Sequence, residues 1–121
     1  MAVTSNVAYS DFPDIVVDTS VNSTPVLDVF RGTANVVYIE ATNASGSALA
    51  YLQIYDHLDP TIDGTASTTT PVFEAPIPTS GTLRCSCLLE FTNGVSYVAV
   101  ATPGGYNNPA GTVTLTLIGA V

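Results

Sequence analysis

At 121 residues, with ten carboxylates against two arginines and a formal charge of −8, the chain has room for one domain and too little positive charge to hold a nucleic acid. Only 10% of its residues are charged while 46% are hydrophobic, a balance that predicts a surface partly covered by neighbours. No run approaches the roughly 20 consecutive apolar residues of a membrane-spanning helix, so the expected cover is protein rather than lipid.

Residues 1–12 read as an N-terminal arm without a pattern, ahead of a single domain at 13–121. The opening MAVTSNVAYSDF has neither a basic nor an apolar signal region, which predicts synthesis in a cytoplasm. From there on, short β-branched and aromatic runs alternate with Gly, Pro, Asn, Asp, Ser and Thr clusters, and no helical period appears. The pattern predicts an all-β fold: an antiparallel β-sandwich of about eight strands, jelly-roll-like or immunoglobulin-like. Expected strands are 15–18, 26–30, 35–42, 48–56, 72–75, 82–91, 95–102 and 112–118. The last is the clearest, because Val113, Leu115 and Leu117 alternate with Thr112, Thr114 and Thr116. Prolines across 71–78 mark that strand as a sheet edge, which favours a sandwich over a closed barrel. Asn43-Ala44-Ser45-Gly46 and Asn93-Gly94 predict short hairpins, the second with type I′ geometry. Asp56 to Thr70 is a long polar surface loop, and Pro103 to Gly111 is a second, flexible one.

The chemical inventory is small. A hydrolase needs a nucleophile with a base, and the chain offers one histidine, no lysine and no GxSxG turn. Asp56 and His57 are adjacent, but neighbours on a strand point to opposite faces, so no enzyme is expected. Cys85 and Cys87 lie on one face of a strand, with Cα atoms about 6.5–7 Å apart, at the limit for a disulfide. They are expected as reduced, buried thiols beside Leu83 and Leu89. A zinc site fails on ligand count, since His57 is the one remaining soft ligand. Asp56, Asp59 and Asp63 have oxygen-ligand spacing but lack the order of an EF-hand, so a solvated acidic loop is expected, with no metal or cofactor. Asn22-Ser23-Thr24 and Asn43-Ala44-Ser45 match the glycosylation sequon and read as turns.

The outward strand faces carry more. With Val37, Ile39, Ala41, Ala50, Leu52, Ile54, Val98 and Val100 facing the core, a period of two sends Tyr38, Leu49, Tyr51, Tyr55, Tyr97 and Ala99 outward. Tyr38, Tyr51, Tyr55 and Tyr97, with the two cations Arg31 and Arg84, are therefore the candidate interface residues, since interfaces enrich tyrosine and arginine and deplete lysine. An intrachain ion pair is the competing role for either arginine.

A family resemblance rests on the order of parts from Ala48 to Pro103. These are a strand ending in YLQIYD, an acidic, threonine-rich loop closing on TTTPVFEAPIP, a turn at Ser80-Gly81, a strand, and then FTNGVSYVAVAT. A Gly/Asn/Pro loop and the strand TVTLTLIG follow, and residues 1–35 lie outside the likeness. In this order the chain resembles small β-sandwich proteins of tailed bacteriophages that decorate or cement the capsid. The resemblance implies a virion protein, often a homotrimer, seated on the shell where major capsid protein subunits meet, with no catalytic residue. Related sandwiches occur in phage tail and fibre proteins, and a carbohydrate-binding adhesion module is a further alternative, weakened by the absence of tryptophan.

Overall fold

The computed structural model describes residues 3–5, 14–62 and 70–121. Its described residues form eight strands and no helix: β1 (Val3–Ser5), β2 (Asp14–Val21), β3 (Ala34–Asn43), β4 (Ala50–Asp56), β5 (Phe73–Ile77), β6 (Thr82–Phe91), β7 (Val95–Val100) and β8 (Val113–Ala120). They make two antiparallel sheets, a five-stranded one ordered β1-β2-β8-β3-β6 and a three-stranded one ordered β5-β4-β7. The all-β sandwich expected from the sequence is the observed fold.

The pairing is nested: β2 pairs with β8, β3 with β6 and β4 with β5. The remaining pair is formed by the segment around Val26, which exchanges hydrogen bonds with Tyr97 in both directions at 3.0 Å, while Val29 N–H donates to Val95 O at 2.9 Å. Counting this segment as the outer member beside β7, the chain is one long antiparallel ribbon rolled into two sheets, the jelly-roll arrangement rather than the immunoglobulin one. Residues 26–30, expected as a strand, form only the isolated bridge Val26↔Tyr97. Pro25 has no N–H to donate, and Asp28, at φ 49°, turns the chain out of the extended region.

Two expected hairpins are connections between sheets instead. Asn43–Gly46 leads from β3 in one sheet to β4 in the other, and Asn93-Gly94 leads from β6 to β7 in the same way. Asn93 does not take the positive φ that a type I′ turn needs. The turn chemistry itself is as expected: Asn43 Oδ1 accepts from Ser45 N–H at 3.0 Å, and Asn22 Oδ1 accepts from Thr24 N–H at 2.8 Å. The first part of the segment read as an arm is partly a strand, since β1 pairs with β2 from Val3↔Asp18 to Ser5↔Val16. Residues 6–13 lie outside the described residues.

The core fills the space between the sheets. Val16, Ile39, Ala41, Leu115 and Leu117 from one sheet meet Leu52, Ile54, Ile77, Tyr97 and Ala99 from the other, all fully buried. Phe30 closes one end, its ring within 3.1 Å of where a side chain at Gly119 would begin, so glycine makes room for it. β5 is a sheet edge, as its prolines predict.

Candidate functional site

The outer face of the five-stranded sheet is built by strict alternation. On β8, Val113, Leu115 and Leu117 are buried at 0% exposure, leaving Thr114, Thr116 and Ile118 outside. Across the ladder Thr42 sits between Thr114 and Thr82, and Glu40 between Thr116 and Arg84. Thr42 and Thr82 share a hydroxyl hydrogen bond at 3.2 Å. Arg84 Nε donates to Glu40 Oε1 at 2.9 Å, and Tyr38 OH donates to the same oxygen at 3.2 Å. This half of the face is polar, and Arg84 is in an intrachain ion pair.

The other half is richer in apolar side chains, with Ser86 and the Asn35–Glu90 pair as its polar members. Ile15, Ile118 and Tyr38 form one cross-strand row. Val37 and Leu88 flank it, and Ile15, Val37 and Leu88 are 40%, 40% and 66% exposed. Val37 was expected in the core with Ile39 and Ala41. A bulge between Val36 and Tyr38 slips the alternation, so Val36 and Ile39 are buried and Val37 is turned out. The apolar end of this face is thus partly a product of one extra residue.

The three-stranded sheet has its own outer apolar cluster, made of Tyr55, Val98 and Val100 with Tyr51 and Ile62 packed against it. Ile62, in the connection after β4, packs against this cluster, so the described part of a loop expected to run over the surface contributes a half-buried side chain. Tyr55 points outward as expected but is 4% exposed. Its hydroxyl donates to Gln53 Oε1 at 2.9 Å, and Gln53 Nε2 donates to Glu74. Burial, and then the charge of Glu74, push the Tyr55 phenol above its ordinary value.

The expected face of β7 is reversed. Tyr97 and Ala99 lie in the central core, whereas Val98 and Val100 face outward under the cover just described. Both faces of β7 are buried and, apart from Ser96, carry aliphatic or aromatic side chains, so alternation of residue type carried little information about direction. Tyr97, placed among the interface candidates, is instead a core side chain that donates from its hydroxyl to Asp18 Oδ2 at 3.0 Å. Tyr38 and Tyr51 remain half-buried on outer faces, and Arg31 stands exposed in a turn at φ 60°.

At the end of the sandwich where β4 and β6 finish, Asp56 is a structural clamp. Its Oδ1 accepts from the N–H groups of Thr92, Asn93 and Gly94 at 3.1, 2.8 and 3.3 Å. Burial raises its pKa, but these backbone donors and the adjacent His57 outweigh it and hold the carboxyl below its ordinary value. His57 turns its Nδ1 to the N–H of Asp59, 2.8 Å away. Ser96, buried nearby, donates from Oγ to the His57 main-chain oxygen at 2.6 Å and accepts from Asp28 N–H at 3.0 Å. The serine proton is therefore directed at a carbonyl rather than at the imidazole. Asp63 lies outside the described residues, and among the described residues no three metal-ligating side chains gather.

Cys85 and Cys87 are free thiols that point inward with Leu83 and Leu89, as expected, but both are half-buried rather than buried. Among the described strands β6 is the outermost of its sheet, and its inner row, Leu83, Cys85, Cys87 and Leu89, is half-buried throughout. Burial, and then Cys85, push the Cys87 thiol up. A scan against protein-family models and a search of curated proteins find no match to this chain.

Proposed function

We propose that the protein is a structural subunit of a virus particle, a decoration or cement protein that binds the outer shell and stabilises it by bridging major capsid protein subunits. The observation that carries this reading is the apolar end of the five-stranded sheet, with Ile15, Val37 and Leu88 exposed on the outer face of a chain that has only two arginines and no lysine. Contiguous apolar surface on a small domain marks a protein contact. The resemblance of 48–103 to phage decoration proteins supplies the partner, and jelly-roll sandwiches recur in viral capsid and lectin domains. Fold alone does not give function, so the surface and not the topology is the argument.

The mechanism needs no chemistry. A subunit that binds the assembled shell and not its separated parts shifts the balance against disassembly by RT ln(1 + [L]/Kd), about 2.7 kcal/mol per site at a hundredfold excess over Kd. Many sites then add. Particles lacking the protein are expected to assemble but to break at lower temperature than complete ones, and adding the purified protein back is expected to restore them. Replacing Leu88 with aspartate is expected to abolish that rescue while leaving the fold intact, because the side chain already faces solvent. Particles that are equally robust without the protein yet fail to attach to their host would establish the tail-fibre or adhesion reading instead.

A further inference from the structure

Sheet edges in natural proteins are kept short or guarded by proline, lysine or inward charges, because unpaired N–H and C=O groups invite another strand. β5 obeys this rule, with five residues and Pro76 among them, and β1 is three residues long. β7 has the 22–29 segment along its outer side. β6 is different. It runs ten residues, TLRCSCLLEF, with neither proline nor lysine, and among the described strands it pairs on one side only, with β3. Its inner row, Leu83, Cys85, Cys87 and Leu89, is half-buried, and Leu88 on its outer row is 66% exposed.

The charges on this edge have a symmetry. Arg84 and Glu90 both lie on the exposed outer row, three residues either side of Cys87. When two copies of β6 pair antiparallel about a two-fold axis at Cys87, Arg84 of each copy faces Glu90 of the other, Ser86 faces Leu88, and Cys87 faces Cys87. No other same-face register sets Arg84 against Glu90. Arg84 engages Glu40 through Nε, which leaves the ends of its guanidinium fork for a second carboxylate. Glu90 faces the uncharged Asn35 on β3 and has no described cation within pairing distance. The irregularity opposite Val37 falls at the centre of this ladder, so its two ends carry the pairing. We propose that a second copy of this chain docks on the β6 edge in this register, joining two five-stranded sheets into one continuous sheet across a two-fold dimer.

This interface is isologous and closes on itself. It gives a dimer, in contrast to the trimer that the resemblance implies, and it does not depend on what the dimer coats. Purified protein, without particles, therefore tests it alone. Light scattering is expected to give the mass of two chains. E90R, which sets Arg84 against an arginine in the partner, is expected to weaken self-association at least tenfold, and R84E is expected to do the same. An equimolar mixture of the two is expected to restore dimers, because both arginines on the edge of one variant then face the two glutamates on the edge of the other. Opposed Cα atoms in antiparallel strands are about 4.5–5.5 Å apart, within reach of a disulfide. Diamide, taking up two electrons and two protons from two thiols, is accordingly expected to cross-link the wild type and C85S but not C87S. E90R alters no described ion pair and decides the matter by itself if R84E does not fold. A wild type that stays monomeric or is trimeric, an E90R variant that associates as tightly as the wild type, or a mixture of folded variants that stays monomeric overturns the proposal.

Discussion

Tyr97 and Asp18 show how a single buried pair ties the two sheets together. Tyr97 reaches across from β7 to Asp18 on β2, and both side chains have 0% exposure. Asp18 uses its second oxygen to accept from Ser20 N–H at 2.9 Å, next to the irregularity in the β2–β8 pairing. Burial first, and then the Asp18 charge, push the Tyr97 phenol far above its ordinary value, so the hydroxyl stays a donor at any working pH. Replacing Tyr97 with phenylalanine keeps the ring and removes the donor, leaving a buried carboxylate with one partner fewer. The expected cost is about 1–3 kcal/mol, measured as a lowered urea midpoint with an unchanged slope. An unchanged midpoint would mean that Asp18 is satisfied without Tyr97.

At the scale of elements, the connection from β6 to β7 crosses between sheets, and Asp56 at the end of β4 holds it by three backbone N–H groups. The arrangement resembles a helix cap in its physics, with a carboxylate satisfying donors that the turn leaves open. Replacing Asp56 with alanine is expected to cost about 1–2 kcal/mol by comparison with such caps. The sign of the pH dependence follows from the lowered pKa in the fold. The unfolded chain titrates near the ordinary aspartate value of about 3.9, so the contribution is whole above that pH. It is lost as pH falls through the lower folded-state value, and the stability gap between wild type and variant is expected to close there. A gap that stays constant into strong acid would show that the charge on Asp56 is immaterial.

The same elements show which parts of the structure are legible in the sequence. Strands with one buried face announce both themselves and their direction, as β8 does through its alternating threonines. Edge strands do so through proline, as β5 does. Asn43 and Asn93-Gly94 mark turns, but a turn residue reports local geometry and not which strand comes next in space. Both connections therefore read as hairpins although each crosses between the sheets. β7 is buried on both faces, so the direction of Tyr97 depends on side chains from elsewhere in the chain, Ile62 among them, that pack against Val98 and Val100, which no local pattern encodes. Val37 is turned out by a bulge, a one-residue event that adds its side chain to the apolar surface that Ile15 and Leu88 already expose. The candidate interface was thus half legible: Tyr38, Tyr51 and Arg84 are on outer faces, while Leu88 could have been found from the alternation of Arg84, Ser86, Leu88 and Glu90.

For the molecule as a whole, the decisive fact is that its last strand is its most central. β8 lies between β2 and β3 and bonds to both, so the five-stranded sheet is divided in two until residues 113–120 are in place. Val113, Leu115 and Leu117 also supply three fully buried side chains. At about 1.5–3 kcal/mol each, their loss approaches the whole stability of a typical domain, about 5–15 kcal/mol, before any broken ladder is counted. A chain ending at Gly111 is therefore expected to show no cooperative thermal transition and to be digested rapidly by protease. Removing residues 1–5 instead takes away a three-residue edge strand and is expected to leave the transition intact. Because the missing strand has a defined slot with backbone partners on both sides, a peptide of residues 112–121 added in trans is expected to restore protection to the shortened chain. A scrambled peptide of the same composition is not, since only the native order sets the valine and two leucines inward and the threonines outward. A shortened chain that folds cooperatively without the peptide would mean that the two halves of the large sheet are stable apart, contrary to a core shared across β8.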